Sequence, residues 1–338
     1  MKTSIVILNY NTADYLRRFL PPLLDSIKGL DAEVVVADNA SADASLEVMA
    51  SGFPSMRVIA LDRNYGFTGG YNRALSEVDA ELYVLINSDV EVPAGWLEPL
   101  TAYMDAHPEC GACGPKLLSF ADRSSFEYAG AAGGFIDRYG YPFCRGRLLT
   151  TSEKDEGQYD TQRLVHWVSG ACIMVRSKVF HALGGFDEDF FAHFDEIDLC
   201  WRMQLAGWKV ASVPSSVVYH IGGGTLPQTS PFKLRLNYRN NLLTLWKNLP
   251  ATFGPRKARL RLTARMLLDG VAAAVYLLKG QWSSFPQVWK AHREFRRLRG
   301  KVTPASGHKV DGLYPGCILF DRIFRKNRIF AFCRKENI

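Results

Sequence analysis

The sequence predicts an α/β fold built on a mostly parallel β-sheet, and two patterns in its first hundred residues indicate this class. Short, nearly all-apolar runs alternate with amphipathic helical segments, as is typical of strands covered by helices on both faces. Polar residues follow each apolar run directly. Since ligands of such sheets bind beyond the carboxyl ends of the strands, we expect these polar residues to share one rim.

The expected elements follow one another in a regular order. Strands are predicted at residues 4–8, 33–37, 56–61 and 81–87. Helices are predicted at residues 12–28, 41–49 and 69–76, with Ser41 as the N-cap of the second. The polar sets that follow the strands are residues 9–11, 38–39, 62–64 and 87–89. Their convergence on one edge is the main expectation for a binding site.

The rest of the chain is less regular. Residues 115–165 are rich in Gly, Tyr and Arg and are expected to form loops, which are often functional when long. Beyond Pro231 the chain is expected to be helical and basic. Its most apolar segment, residues 264–278, contains Arg265 and Asp269 and is shorter than the roughly 20 residues that span a bilayer.

Charge divides the chain into two parts. The composition is 47% hydrophobic and 22% charged, which is typical of a globular protein. Residues 1–232 carry 18 Lys and Arg against 29 Asp and Glu, whereas residues 233–338 carry 23 against 5. We therefore predict a catalytic domain at 1–232 and a basic, mainly helical region at 233–338. The seven scattered cysteines show no disulfide pattern.

Two acidic groups carry the candidate chemistry. Asp89 ends an apolar strand, where a carboxylate can hold a hard divalent cation and, through it, a diphosphate. The alternative is an ordinary strand-to-turn junction. Asp195, Glu196 and Asp198 lie near aromatic residues, so that one of them can act as a general base, or they simply favour the first turn of a helix through its dipole.

Four strings, SIVILNYN, VVVADNASAD, NYGFTGGYN and LINSDVEVP, together resemble the nucleotide-binding half of family 2 glycosyltransferases, which have the GT-A fold. The resemblance covers roughly residues 3–225. It implies that Asp89 is a metal ligand at the last position of the DxD-type motif, whose first position here is Asn87. The donor-binding residues implied by the resemblance and the rim are Asn11, Asp38, Arg63, Asn64, Gly69, Asn72 and Asn87.

Further motifs extend the resemblance. The string HFDEIDLCWR resembles the family's ED-type catalytic motif, which implies Glu196 as the base, with Asp195 as the alternative. His220 corresponds to a histidine that ligates the metal in several members, and glycines 222–224 follow it. Trp167 and Gly170 match the acceptor-side loop. Trp167 either stacks on a sugar or belongs to the core.

The resemblance implies an inverting glycosyltransferase that uses Mg²⁺ or Mn²⁺ and a nucleotide-sugar donor. NYGFTGGYN is most similar to bacterial rhamnosyltransferases, which suggests dTDP-rhamnose, with a UDP-sugar as the alternative. The acceptor is expected to be a glycan or a polyprenyl-linked glycan used in cell-surface polysaccharide synthesis. Two rival functions are a sugar nucleotidyltransferase, which would need a basic triphosphate loop after the first strand, and a non-catalytic nucleotide-sugar-binding protein.

The basic region suggests a second partner. Its apolar helices carry Lys and Arg clusters, including residues 256–261, 293–299 and 325–328, and such helices bind anionic lipid surfaces. The alternative is a solvated basic face without a partner, and no motif supports nucleic acid. Since the first residues lack a signal-peptide pattern, we expect a cytoplasmic protein, peripheral at the inner face of the membrane.

Overall fold

The computed structural model describes residues 2–222, 230–300, 302–304, 307–324 and 326–334. The strands are β1 (Thr3–Asn9), β2 (Ala32–Asp38), β3 (Arg57–Ala60), β4 (Leu82–Asn87), β5 (Val90–Glu91), β6 (Cys110–Ser119), β7 (Gly134–Asp137), β8 (Pro142–Cys144), β9 (Arg147–Leu148), β10 (Thr151–Ser152), β11 (Arg163–Leu164), β12 (Cys172–Arg176), β13 (Lys209–His220) and β14 (Leu313–Tyr314). The helices are α1 (Ala13–Ser26), α2 (Ser45–Gly52), α3 (Gly66–Ser76), α4 (Leu97–Ala106), α5 (Ser177–Ala182), α6 (Asp195–Leu205), α7 (Pro231–Phe253), α8 (Pro255–Leu278), α9 (Phe285–Leu298), α10 (Ile318–Phe324) and α11 (Lys326–Arg334).

Nine strands form the main sheet, in the order β11-β13-β6-β12-β4-β1-β2-β3, with β5 paired to β13. Strands β3, β2, β1 and β4 run parallel, and β12 is antiparallel to both of its neighbours. Apolar residues of the central strands face helices on both sides and form two buried clusters. The predicted α/β class with a mostly parallel sheet is therefore confirmed.

A second sheet, with the order β10-β9-β8-β7-β14, occupies part of the region expected to be loops. Its strands contain only two to four residues, which is too few for an alternating pattern to be visible in the sequence. The expectation of loops throughout residues 115–165 is therefore wrong. Strand β14, from near the C-terminus, pairs in parallel with β7.

The second helix begins four residues later than expected, at Ser45. Ser41 is not its N-cap, because its hydroxyl oxygen accepts hydrogen bonds from the backbone N–H of Asn11 and the side-chain amide of Asn9. Ser41 thus ties the loop after β2 to the loop after β1. Ser41 therefore stabilises the loop after the neighbouring strand instead of capping the helix, and only the tertiary structure reveals this.

The basic C-terminal region contacts the catalytic half closely. Asp198, buried on α6, accepts hydrogen bonds from Lys247 (2.9 Å) and Asn248 (2.9 Å) of α7 and from Arg202 of its own helix (2.7 Å). Burial alone would raise the pKa of Asp198, but the charges of Arg202 and Lys247 lower it below its usual value. The division of the chain at 232/233 stays a prediction, although α7 is anchored to α6.

Within the described parts of the chain, no helix has the length and apolar character needed to cross a membrane. The apolar segment 264–278 lies within α8, where Arg265 and Asp269 are buried and form an ion pair of 2.8 Å. Both side chains point into the protein, so other residues form the outer face of α8.

Replacing Gly134 with Ala is expected to destabilise the fold. A Cβ at this position would overlap the indole ring of Trp167, which is buried and donates a hydrogen bond to the carbonyl of Phe135 (3.1 Å). Overpacking of this kind costs about 1–3 kcal/mol, measurable as a lower free energy of unfolding in urea. The matched control is Gly270→Ala, because nothing lies within 4 Å of its Cβ. An unchanged stability of Gly134→Ala would contradict this packing.

Candidate active site

The carboxyl ends of β1 and β2 begin the predicted rim. Asn9 and Asp38 are aligned in the register of these parallel strands, and the Asn9 amide donates to Asp38 over 2.7 Å. The other oxygen of Asp38 accepts from the backbone N–H of Ser41 (2.9 Å). Asn11 has a positive φ of 55° and accepts from the N–H of Ala42 (2.7 Å). The loops after β1 and β2 are therefore locked together.

The loop after β3 joins the same rim through Asn39. The Asn39 amide donates to the side chain of Asn64 (3.0 Å) and to the carbonyl of Gly66 (3.0 Å). Its oxygen accepts from the N–H of Tyr65 (3.0 Å). Arg63 is exposed at this rim, with its guanidinium 4.7 Å from the centre of the Tyr65 ring. Asn39 was predicted only as the residue after Asp38, yet it connects the polar set that follows β2 with the set that follows β3.

Asp89 and His220 lie together, as the resemblance implied. His220 Nε2 is 3.2 Å from Asp89, and His220 Nδ1 is 3.4 Å from Glu127. All three residues are buried. Burial alone would lower the pKa of His220, but the hydrogen bonds and charges of Asp89 and Glu127 raise it to about 10. The two carboxylates therefore favour a positive charge between them, which the protonated imidazole supplies here.

The residues present suit a hard divalent ion. Carboxylate oxygens with one imidazole are acceptable ligands for Mg²⁺ or Mn²⁺, and His220 Nδ1 is buried without a well-aligned hydrogen bond. Among the described residues, no group of three or more His, Cys, Asp or Glu side chains is spaced as a complete ligand set.

The loop of residues 169–171 links this acidic pocket to the ED-type motif. The carbonyl of Ala171 accepts from the N–H of Asn87 (3.0 Å), next to Asp89. A Cβ built on Gly170 would lie 3.6 Å from Cβ of Glu196. Asp89 and His220 therefore lie on one side of this short loop, and Glu196 lies on the other. The structure brings these three predicted residues to the same rim.

Glu196 and Asp195 differ in their exposure. Asp195 is fully buried, and burial together with the charge of Glu196 raises its pKa well above its usual value. Glu196 is half-buried beside Gly170 and Phe67, and desolvation raises its pKa to about 7. A carboxylate with this pKa and some access to solvent is suited to accept a proton near neutral pH.

The segment before Glu196 has an unusual backbone. Phe191, His193 and Phe194 all have positive φ values, of 62°, 70° and 66°. Such conformations are unfavourable for residues with side chains and persist only where the surroundings enforce them. Since α6 begins at Asp195, this segment sets the direction in which the catalytic motif enters its helix.

Hydrogen bonds from two helices enforce that backbone. The Phe191 carbonyl accepts from the N–H groups of Phe67 (2.7 Å) and Thr68 (3.3 Å), at the start of α3. From the other side, Arg239 of α7 donates to the carbonyls of Asp189 (2.9 Å) and Phe190 (2.7 Å).

Asn240 completes this arrangement. Its amide nitrogen lies 2.9, 2.8 and 2.8 Å from the carbonyl oxygens of Phe190, Ala192 and His193. Arg239 Nε donates to the Asn240 side-chain oxygen (2.8 Å), which fixes the orientation of the amide. Every carbonyl from residue 189 to 193 therefore has a donor. We call Arg239 and Asn240 the loop clamp.

The start of α3 has a role that the sequence did not suggest. The second and third backbone amides of this helix bind the carbonyl of Phe191. Gly66, with φ of 72°, must be glycine because a Cβ would overlap the Phe191 ring. Asn72 donates to the carbonyl of Phe186 (2.8 Å) and accepts from its N–H (2.9 Å). These contacts support a structural role for the string NYGFTGGYN.

Two other predicted residues lie in packed surroundings. Gly69 lies within α3, where a Cβ would be 3.0 Å from both Arg73 and Tyr65. Trp167 is buried against Gly134, so its ring face is covered and its position favours the core alternative. Of glycines 222–224, Gly222 lies beside Glu127, with 3.1 Å between a built Cβ and Oε1. Gly223 and Gly224 lie outside the described residues.

Sequence reasoning missed several residues of this site. Glu127 follows no strand end, and the clamp residues lie far from the motif that they hold. Lys233 of α7 has a pKa that burial lowers, while the nearby charges of Glu127 and Asp89 oppose the shift. The string YRNN, which contains the clamp, was an available signal, because three consecutive polar residues directly precede the apolar run of α7.

The chain matches known enzymes along most of this region. Residues 4–184 match the family described as Glycosyl transferase family 2. The chain is 30% identical over 232 residues to the N-acetylglucosaminyl-diphospho-decaprenol L-rhamnosyltransferase of Mycobacterium tuberculosis, covering 64% of this chain and 75% of that protein. It is 27% identical over 257 residues to the dTDP-rhamnosyl transferase RfbF of Shigella flexneri, covering 72% of this chain and 79% of that protein.

Solved structures show the same fold. The mannosyltransferase PcManGT from Pyrobaculum calidifontis, in complex with GDP-Man and Mn²⁺, superposes with a TM-score of 0.54 at 15% identity over 87% of each chain. GalNAc-T7 with UDP, GalNAc and Mn²⁺ gives a TM-score of 0.56 at 15% identity, covering 72% of this chain and 47% of that one. The chain therefore belongs to glycosyl transferase family 2 and is a glycosyltransferase with the GT-A fold.

Asn240→Ala is expected to impair transfer more than folding. The change removes the donor that serves the carbonyls of Ala192 and His193, and an unpaired buried group costs about 1–3 kcal/mol. With its clamp lost, Glu196 is misplaced, so kcat should fall at least about tenfold while the KM for the donor changes little. Steady-state kinetics and urea unfolding measure both effects.

The matched control for this change is Asn237→Ala, since Asn237 is a partly exposed residue of the same helix. Equal losses of kcat in the two variants would contradict a specific role of the clamp.

Proposed function

We propose that this glycosyltransferase transfers a sugar from a nucleotide-diphosphate sugar to a hydroxyl group of a glycan or a lipid-linked glycan, with inversion at the anomeric carbon. The observation that carries the proposal is the placement of Asp89, His220 and Glu196 around the single loop 169–171. This arrangement supports adjacent positions for the diphosphate and the attacking hydroxyl, as a direct displacement requires.

The nucleoside is assigned to the rim formed by β1, β2 and β3. Asp38 uses each oxygen for one internal hydrogen bond, so further acceptor capacity remains for a base or ribose. Asn11 stands beside it, held by Ala42. Arg63 and Asn64 lie on the next loop, where an exposed guanidinium suits an anionic or aromatic ligand.

The diphosphate is assigned to the acidic pocket through a divalent cation. Asp89 and His220 would hold the ion, with Asn87 next to them, and Mg²⁺ and Mn²⁺ both fit these ligands. When bound, the ion neutralises charge on the departing nucleoside diphosphate. The bound Mn²⁺ of PcManGT and GalNAc-T7 supports a metal of this kind. Lys233 contributes a second positive group on the same side.

Glu196 is proposed as the general base, and Asp195 as the buried group beneath it. The acceptor oxygen forms a bond to the anomeric carbon as the bond from that carbon to the diphosphate oxygen breaks. The electron pair leaves with the nucleoside diphosphate, and Glu196 takes the proton of the hydroxyl group. Gly170 lies directly beside Glu196, because a Cβ there would be 3.6 Å from Cβ and 3.8 Å from Cδ of Glu196.

The donor and acceptor classes follow from the relatives. Two of them are described as rhamnosyltransferases, one using a dTDP-linked and one a decaprenol-linked partner. We therefore propose dTDP-rhamnose as the first donor to test, with UDP-sugars second, and a polyprenyl-linked glycan as the acceptor. Such an acceptor requires the enzyme to work at the cytoplasmic surface of an anionic membrane, as a peripheral protein.

Glu196→Gln is expected to abolish transfer and to leave donor binding intact. The amide keeps the shape of the side chain but has no basic oxygen of comparable strength, so kcat should fall by about 100-fold or more. Donor affinity, measured by calorimetry, should stay within about twofold of the wild type. Asp187→Asn is the matched control, since it makes the same kind of change at an acidic residue before the clamped segment. Asp187 pairs there with Lys247 (2.7 Å). Full activity of Glu196→Gln would exclude Glu196 as the base.

Transfer should depend on pH through Glu196. Burial raises the pKa of Glu196 to about 7, so the basic, deprotonated form dominates above that pH. Values of kcat/KM should therefore rise with pH up to about 7 and fall about tenfold for each unit below 6. A flat profile between pH 5 and 8, recorded with saturating metal, would show that a group with a different pKa accepts the proton.

Donor and metal should stabilise the protein together. In a thermal-shift screen, dTDP-rhamnose or a UDP-sugar should raise Tm in the presence of Mn²⁺ or Mg²⁺, because a ligand that binds only the folded state shifts the equilibrium. Asp89→Asn should reduce the metal-dependent part of that shift. If neither donor class stabilises the wild type with metal present, the donor assignment fails.

A further inference from the structure

An apolar stripe covers the outer face of α8. Four of its residues are exposed, and their spacings place them within an arc of about 40° on the helix: Leu260, Leu267, Val271 and Leu278. Leu267 is 69% exposed and Leu278 88% exposed. The opposite face of α8 carries its buried residues, including Arg265 and Asp269. The stripe is therefore a surface of the folded protein that the described chain leaves open to solvent.

Aromatic residues extend the stripe past the end of α8. Trp282 lies in the turn between α8 and α9 and is 73% exposed, and Trp289 in α9 is 59% exposed. Tryptophan side chains of this kind prefer the boundary between water and lipid, because their rings are apolar and their N–H is polar. We call the set Leu260, Leu267, Val271, Leu278, Trp282 and Trp289 the docking face.

Positive charge surrounds the docking face. Residues 255–299 contain eleven Lys and Arg and two acidic residues. Both acidic residues have partners inside the protein, since Asp269 binds Arg265 and His292, and Glu294 lies 3.5 Å from Arg235 and Arg239. The exposed basic residues next to the face are Arg256, Lys257, Lys279, Arg293, Arg296 and Arg297. An apolar stripe with basic flanks matches an anionic lipid surface.

The C-terminal end of the docking face lies beside the start of α7, close to the predicted active site. Helices α7 and α8 are joined at Gly254 and run antiparallel, and the hydroxyls of Tyr238 and Tyr276 are 3.2 Å apart. The end of α8 and Trp282 therefore lie beside the start of α7, where Lys233 is near the acidic pocket. At that start, the ring of Phe232 is 6.1 Å from that of Phe191, in the clamped segment.

We propose that the docking face seats this enzyme on an anionic lipid bilayer, with the mouth of the active site next to the lipid headgroups. The face inserts its Leu and Trp side chains at the level of the headgroups, while the flanking Lys and Arg bind lipid phosphates. This inference rests on the proposed lipid-linked acceptor for its purpose. The sugar hydroxyl of such an acceptor then reaches Glu196 while the lipid part of the acceptor stays in the membrane.

The test is co-sedimentation of the full chain with vesicles of phosphatidylglycerol and phosphatidylcholine. The wild type should bind these vesicles, bind pure phosphatidylcholine far less, and lose binding at high salt. Leu267→Glu/Leu278→Glu should weaken binding at least about tenfold, because two inserted side chains become anionic. Leu46→Glu, at an exposed position of α2, is the matched control and should bind like the wild type.

Three results would overturn the proposal. The double Glu variant could bind anionic vesicles as well as the wild type does, or the wild type could fail to bind them. Third, sedimentation velocity could show a wild-type dimer that the double variant converts to a monomer, which would assign the face to a second copy of the chain. Donor-induced stabilisation, measured in both variants without vesicles, is independent of docking. Absence of this stabilisation in the wild type would count against the proposed function alone.

Discussion

The active site depends on the pairing of five consecutive carbonyl groups, those of residues 189–193. Buried backbone groups must find hydrogen-bond partners, and this segment is neither helix nor strand along most of its length. The start of α3 supplies two amides to Phe191, and Arg239 and Asn240 supply the donors for the other four carbonyls. These bonds hold three positive φ values that the chain would not adopt alone.

The same constraint explains how the basic C-terminal region serves the catalytic fold. The inner face of α7 holds the segment before Glu196 through the clamp, and it holds α6 through Lys247 and Asp198. The outer face of the following helix is apolar and flanked by positive charge. A region that sequence composition marks as a separate, basic appendage therefore contacts the segment before Glu196 on one side, and on the other it carries the face that we propose for membrane docking.

Much of this could be predicted from the sequence, and the exceptions have physical reasons. The parallel half of the sheet was visible because its strands are buried on both faces and read as continuous apolar runs. The shared rim could be predicted from the parallel strands, since the strand ends fix the positions of Asp38 and Asp89. The second sheet was missed because its strands are too short for a pattern. Glu127 and the clamp were missed because they reach their partners only through tertiary contacts.

Hydrogen exchange in the Asn240→Ala variant tests most directly whether the clamp holds the catalytic segment. Amides exchange when a segment opens locally, and the removal of contacts that close the segment lowers the free energy of opening. The account predicts that amides of residues 189–197 exchange at least about tenfold faster in the variant, while those of β1 and β4 keep their rates. Unchanged exchange in 189–197 would contradict it, because the segment would then hold its shape without Asn240.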